Sequence, residues 1–531
     1  MRFLACLACL WWWVVIQSPD LESLLQRART LAELERDAYR RSQLLRKIAC
    51  LQAKIGAVEA AIATVKASPI MSARILALAS VASARADMGD SRGGRALLDN
   101  AEQLVEFNDR DFMTANARVV FAIAFARCGD FDRADALIEN ESEELNKRFA
   151  CEDLANLMAA NTHIERALAI LRKLPSTERD WSYLSVGRER IRAKDVKCAL
   201  RIAQEMLDAS LQGEILAGIA ELQATQGRVE AALSTADTVK GNIRRANSLF
   251  VIARALVLRK DCARAEGVLS LAMREEDKLT DPDERVMFLS FLVDVWSLVG
   301  RRDKVEIIAA LLLKELERGR GSSRWKHWAR ASVVTAMTRV GCDEESARLL
   351  KCIEQGYALD YARGQLAWCL EEMNKPDQAL KTAASIEDPL SRAECFVVLS
   401  RLSNTQKDTV RALNTLRLAF QIVAPIAPGG FHADEGSPLM RKAQVMDEII
   451  DLFTSMGDVA MALQGVRLIE KDFKSVRAGT TEVQRIAMRH AETVPFDKVW
   501  QWVQAESDGV VRAHAIVGMV EGILNRRKEP K

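Results

Sequence analysis

The chain repeats itself. A Gly or other turn residue followed a few positions later by a small residue recurs about thirteen times between Ala28 and the C-terminus. That small residue is Ala61, Gly94, Ala134, Ala167, Ala199, Ala232, Ala265, Val305, Ala347, Ala379, Ala412, Ala462 and Val499. Seven of the twelve steps between these positions are 32 or 33 residues long. A period in that range marks a stack of short helical hairpins, each burying its apolar face only against its neighbours. A stack grows without enlarging a central core, so 531 residues need not mean several domains. The expectation is one continuous array over 19–531 that offers an extended surface for binding.

Composition agrees with an ordered, all-helical chain. Hydrophobic residues make up 49% and charged residues 28%, which excludes the depletion typical of disorder. The 11 prolines and 26 glycines are few for this length and fall mostly between predicted helices. With 75 basic against 73 acidic residues, no global field draws in nucleic acid or anionic membrane.

The N-terminus differs from the rest. Arg2 precedes an apolar run from Phe3 to Ile16 that includes Trp11, Trp12 and Trp13, and polar Gln17 and Ser18 follow. This is the pattern of a signal peptide, too short for a comfortable membrane span of about 20 residues. Residues 1–18 are therefore expected to export the protein or anchor it to a membrane. The nine later cysteines, Cys50, Cys128, Cys151, Cys198, Cys262, Cys342, Cys352, Cys369 and Cys395, are odd in number and show no close pairing. They read as small core residues.

Within a unit, a first helix ends at a Gly-Asp or Lys-Asp turn and a second begins. Gly permits the left-handed conformation that closes a helix, and Asp caps the next one. Twelve residues before the small marker stands another small residue, in the first helix: Ala49, Ala82, Ala122, Ala155, Gly187, Ala220, Ala253, Ala367 and Ser400. Small residues facing each other let paired helices approach closely.

Ala122, Phe125, Ala134 and Ile138 carry the pattern at its clearest, and it resembles the tetratricopeptide-repeat family. The resemblance covers nearly all of the chain after the leader. It is degenerate, because Arg85, Gln223 and Ser403 stand where the family places an aromatic, and the period is a residue short of the usual ~34. It implies an α-solenoid, a right-handed superhelix of about thirteen hairpins, whose concave face binds peptides. The Thr-Pro-Leu-His signature of ankyrin repeats is absent. The longest insertion, 424–438, holds three prolines and three glycines and reads as a loop.

Catalytic chemistry is not evident. There is no phosphate-cradling loop, no His-Glu-x-x-His helix and no nucleophile elbow, so no catalytic residue, cofactor or metal is expected. His432 with Asp434 and Glu435 reads as a solvated loop. Trp325, His327 and Trp328 among Arg324, Lys326 and Arg330 read as a partly buried helix face with a wet rim. The basic C-terminal run Arg526, Arg527 and Lys528 reads as solubilising.

If first helices line the inside of the superhelix, the residue just after each small position faces inward. That row is Asn156, Arg188, Glu221, Arg254, Asp294, Trp368, Arg401 and Asp451, the candidate partner-binding surface. The expected function is a non-enzymatic scaffold that holds a protein or peptide there. The alternative is a pentatricopeptide-like RNA-binding protein, suggested by units such as 227–233. Near-zero net charge and the lack of a regular pair of polar residues per repeat argue against it.

Overall fold

The computed structural model describes residues 20–102, 112–139, 144–161, 163–276, 278–318, 323–426, 438–473 and 476–528. Among them it forms 28 helices and no strand, so the chain is all-α as its periodicity requires. A lone helix α1 (Leu21–Ala32) opens the series and a lone helix α28 (Gly509–Lys528) ends it. Between them lie thirteen pairs, from α2 (Ala38–Lys54) and α3 (Val58–Lys66) to α26 (Val476–Thr493) and α27 (Phe496–Ala505). The leader, residues 1–18, lies outside the described residues, as do 427–437 of the 424–438 insertion together with His432, Asp434 and Glu435.

The turn chemistry works as the residues imply. The first helix α14 (Asn242–Leu258) closes at Lys260, whose φ of 63° is left-handed, and the Asp261 amide donates back to the Leu256 carbonyl at 2.9 Å. Asp261 then accepts from the Arg264 amide at 3.3 Å and starts α15 (Cys262–Glu276). Gly129, at φ 80°, makes the same turn without a Cβ in the way, whereas Lys194, Asn374 and Lys407 adopt it as Lys260 does. A non-glycine residue held there costs about 1 kcal/mol. The surrounding helix packing has to offset that cost in four of the units.

All nine small residues assigned to first helices are buried, and so are twelve of the thirteen second-helix markers. At Gly94 an added Cβ would lie only 2.7 Å from the Ala82 carbonyl oxygen, so glycine is what permits that approach. The exception is Ala347, which is exposed. The seam there is filled by its neighbour Ser346, whose hydroxyl donates to the Val334 carbonyl at 3.0 Å, twelve residues back. The repeat register in this unit therefore sits one residue earlier than the alanine indicates. Serine can fill a small apolar seam only because a carbonyl is there to accept its proton.

The cysteine expectation holds in part. Cys128, Cys151, Cys198, Cys369 and Cys395 are buried. Burial pushes Cys128, Cys198 and Cys369 up to about 11 and Cys395 up to about 12, so these thiols stay protonated and unreactive. Cys262 and Cys352 are exposed, contrary to a reading of every cysteine as core. Both lie at ends of second helices, where neighbouring repeats leave the side chain uncovered.

Packing divides the chain into two compact units: Met1–Leu154 with Ile450–Lys531, and Ala155–Ile449. In the first unit the first and last described helices meet. Helix α28 packs against α26, α1 and α2. It takes the place of one more first helix, with α1 as its second helix. Ala28, fully buried and 33 residues before Ala61, is the small marker of that split hairpin. Leu24, Leu25 and Ala32 are buried with it, and Arg27 lies over the Trp500 ring at 5.4 Å. A terminal hairpin of a repeat stack leaves an apolar face bare; in this unit α1 and α28 cover each other.

The contact between α2, α26 and α28 carries a polar thread. Lys47 donates to Gln484 Oε1 at 2.7 Å, and Gln484 donates to Glu521 at 3.3 Å. His514 lies nearby with its Nδ1 buried and without a hydrogen-bond partner. Burial, and then the charge of Lys47, hold His514 down at about 4. An unfolded histidine takes up its proton near pH 6.5, so between there and about 4 the unfolded chain binds the proton that the folded chain refuses. The stability contributed by neutral His514 is complete above about pH 6.5 and declines as pH falls towards 4, by about 2 kcal/mol at about pH 5. His514→Leu is expected to flatten the acid limb of a urea-midpoint profile relative to wild type; parallel acid limbs in the two chains would refute this.

Candidate binding cleft on the first-helix face

The candidate row lies on successive first helices, and the structure pairs most of its members with opposite charges, two of them, Glu221 and Arg254, with each other. Arg188 on α10 (Ser176–Arg192) donates to Glu214 on α12 (Ala209–Thr225) at 3.0 Å. Glu221, on the same α12, accepts from Arg254 of α14 at 2.8 Å. Asp294 on α16 (Pro282–Val299) pairs with Arg339 of α18 (Ser323–Arg339), which also reaches Glu372 at 3.0 Å. Arg401 pairs with Glu448 at 2.9 Å, and Asp451 with Arg485 at 2.8 Å. Six of the eight residues are thus rungs of a ladder of ion pairs between neighbouring first helices. Exposed pairs of this kind contribute about 0–1 kcal/mol each. Their main effect is to leave little uncompensated charge along the row.

Asn156 is half-buried, with its Oδ1 shielded from solvent and lacking a hydrogen-bond partner. Trp368 stands apart from the ladder. It lies on α20 (Tyr357–Glu372), is 37% exposed, and lines a cleft of about 560 Å³. That volume is within the range of sites that hold a small ligand or a few peptide side chains.

One wall of the cleft is a stripe of α20: Tyr357, Tyr361, Gly364, Gln365 and Trp368. These residues fall at i, i+4, i+7, i+8 and i+11, a single helix face. Tyr357 and Tyr361 stack at 6.3 Å, and Tyr357 is 74% exposed. A Cβ at Gly364 would meet nothing within 4 Å, so the glycine opens the floor. The opposite wall is α22 (Pro389–Thr405), which presents Ser391, Glu394, Cys395 and Val398, and Arg441 of α24 (Pro438–Ser455) closes one end.

The charges around the cleft are fixed by the fold. Asp360 is buried and accepts the amides of Glu387 and Asp388, each at 2.9 Å, which ties the start of α22 to α20. Asp180 does the same for Leu207 and Asp208 five units earlier. Arg441 donates to Asp388 at 3.4 Å, Ser391 at 3.2 Å and Glu394 at 3.1 Å. The single cation of the cleft is thereby matched to two carboxylates, and they keep it charged despite its partial burial. Chemically the cleft offers aromatic faces, an exposed valine and a rim carboxylate. Among the described residues no cluster of His, Cys, Asp and Glu could hold a metal ion.

Sequence reasoning found Trp368 and missed Tyr357, Tyr361, Glu394, Val398 and Arg441. The signal was present in α20. Its core stripe, Ala358, Leu359, Ala362, Ala367 and Leu370, is accompanied by a second stripe of aromatics on a different face. A helix apolar on two faces has more greasy surface than one core can bury.

Members of the other aromatic and basic groups make contacts within the fold. Trp328 packs edge-on against Phe291 at 4.9 Å and against Trp325 at 5.6 Å, both tryptophans half-buried. Arg526 donates to the Glu492 carbonyl at 3.0 Å, closing the end of α26. No described helix is long and apolar enough to cross a membrane.

No family model and no curated protein matches this sequence. Solved structures resemble it loosely, three of them as follows. Ton1535 of Thermococcus onnurineus NA1 is 14% identical, with 70% of this chain and 98% of that one covered at a TM-score of 0.23. The APC/C hetero-tetramer Cut9-Hcn1 gives 12%, 95%, 93% and 0.24, and the human IFIT1 dimer with PPP-AAAA gives 12%, 88%, 95% and 0.24. Superpositions this loose carry no argument about shape or activity. The all-helical repeat fold rests on the helices themselves.

Proposed function

We propose that the chain is a non-enzymatic scaffold that takes a segment of a partner protein in the cleft between α20 and α22. The observation that carries this reading is the contrast along the first-helix row. Where six candidate residues are each neutralised by an opposite charge on a neighbouring helix, Trp368 and the two tyrosines leave an aromatic surface open to water, in a cleft of about 560 Å³. Exposed aromatics grouped in a concavity are the usual anchors of peptide recognition. The ion-pair ladder also disfavours RNA as the partner, because arginines already matched to carboxylates release few counterions from a phosphate backbone.

A photo-crosslinking amino acid at Val398, on the cleft wall, tests the reading against the same group at Ala347, exposed on a second helix. Protein adducts are expected from position 398 and not from 347, and are expected to vanish when Tyr361→Ala and Trp368→Ala are added. Equal adducts at both sites, or adducts to RNA, would overturn it. The leader motivates a second part of the proposal, that the scaffold works exported or anchored to a membrane. Mass spectrometry of the native N-terminus checks this, and a cytosolic chain beginning at Met1 would contradict it.

A further inference from the structure

On two other first helices an arginine of the chain lies over an aromatic ring. Arg254 lies over Phe250 at 6.0 Å, and Arg148 lies over Phe149 at 5.6 Å. Among the described residues no guanidinium lies over Tyr357, Tyr361 or Trp368, although the same kinds of helix face meet there. The faces of aromatic rings attract cations, and arginine, planar and weakly hydrated, stacks on them best.

Charge points the same way. Asp360, Glu394 and Arg441 are the ionised groups of the cleft lining, two carboxylates against one guanidinium. Asp360 is used up inside, by two backbone amides and by Arg363 at 3.4 Å. Arg441 is engaged by Asp388, Ser391 and Glu394, which leaves little of it to attract an anion. Glu394 is different. Its side chain is 47% exposed, and its Oε1 accepts from Arg441 while its Oε2 has no partner among the described residues. A carboxylate oxygen at the rim of an aromatic cleft matches a guanidinium that stacks on one ring and donates to the acid. Val398, 39% exposed on the same wall, offers apolar contact to a neighbouring side chain.

We infer that the cleft is an arginine-reading site: it takes a peptide segment whose arginine stacks among Tyr361 and Trp368 and donates to Glu394, with an apolar neighbour against Val398. This inference rests on the scaffold reading above and names the chemistry of its occupant.

Random nonapeptides displayed on phage and selected on the full chain test it. Recovered peptides are expected to be enriched in arginine beside an apolar residue, and to be lost on Trp368→Ala. A synthetic copy of the best peptide, with its arginine replaced by neutral, isosteric citrulline, is expected to bind about tenfold more weakly. Glu394→Gln is expected to weaken the arginine peptide by a similar factor while leaving the citrulline peptide unchanged. This variant removes charge at an exposed position, and the helical circular-dichroism signal confirms that both variants fold. Selected peptides rich in Asp or Glu, or equal binding of the arginine and citrulline peptides, would overturn the arginine assignment and leave the scaffold standing. Peptides that bind Trp368→Ala unchanged, or no peptide recovered at all, would overturn both.

Discussion

Gly518→Val is expected to destabilise the first unit by about 3 kcal/mol or more. Gly518 and Gly522 lie four apart on one face of α28, against the carbonyls of Gln484 and Met488, which are four apart on α26. A Cβ at either glycine would sit inside the van der Waals contact of one of those oxygens. The obstacle is helix backbone, which cannot rotate aside as a side chain can, so α28 would have to lift along its length. Lifting would open the seam that buries Ile486, Ala487, Ala515 and Met519. Alanine separates this effect from simple helix propensity. At Gly267, exposed on α15 with nothing within 4 Å of an added Cβ, Gly→Ala is expected to stabilise by about 0.5–1 kcal/mol. Gly518→Ala receives the same propensity gain and is still expected to be destabilising. Urea denaturation of the three variants decides it, and a Gly518→Ala chain as stable as Gly267→Ala would mean that α26 and α28 are not in backbone contact.

Those two glycines also mark where sequence reading stops. The hairpin period was legible because each unit buries a small residue at the same place, as Ala134 opposite Ala122 and Ala232 opposite Ala220 do, and local packing is what a period records. Ala347 misled by one position because a serine can fill a seam if a carbonyl accepts its hydroxyl, and no pattern of apolar residues encodes that partner. The candidate row was legible as positions but not as chemistry. Arg188 and Glu221 look like free charges in sequence, and only the spacing between neighbouring helices reveals that each meets an opposite charge. The cleft depends on pairs such as Tyr361 with Glu394 and Glu394 with Arg441, tens of residues apart. The meeting of α1 with α28 spans almost the whole chain, and no local periodicity can announce it.

That meeting leads to the other large effect. Removing residues 1–19, which leaves α1 intact, is expected to change the stability of the first unit little, whereas removing 1–33 takes away the helix that covers α28. Leu21, Leu24 and Leu25 are each less than a tenth exposed. At about 2 kcal/mol for each buried leucine, their loss alone costs about 6 kcal/mol, a large part of the stability of an ordinary domain. Hydrogen exchange in α26 and α28 is expected to accelerate sharply in the shorter chain only, and a synthetic peptide of residues 20–36 added in trans is expected to restore protection. The loss of the Arg27 contact over Trp500 gives an optical readout of the same event. Equal protection in the two truncated chains would show that α1 does not serve as the missing half of the last hairpin. If the shorter chain does open, the consequence reaches folding as well as stability. The first unit cannot complete its core until α28 has been made, so a stretch of apolar surface on α1 and α2 waits for the end of synthesis, and closing so long a loop makes this the slow step.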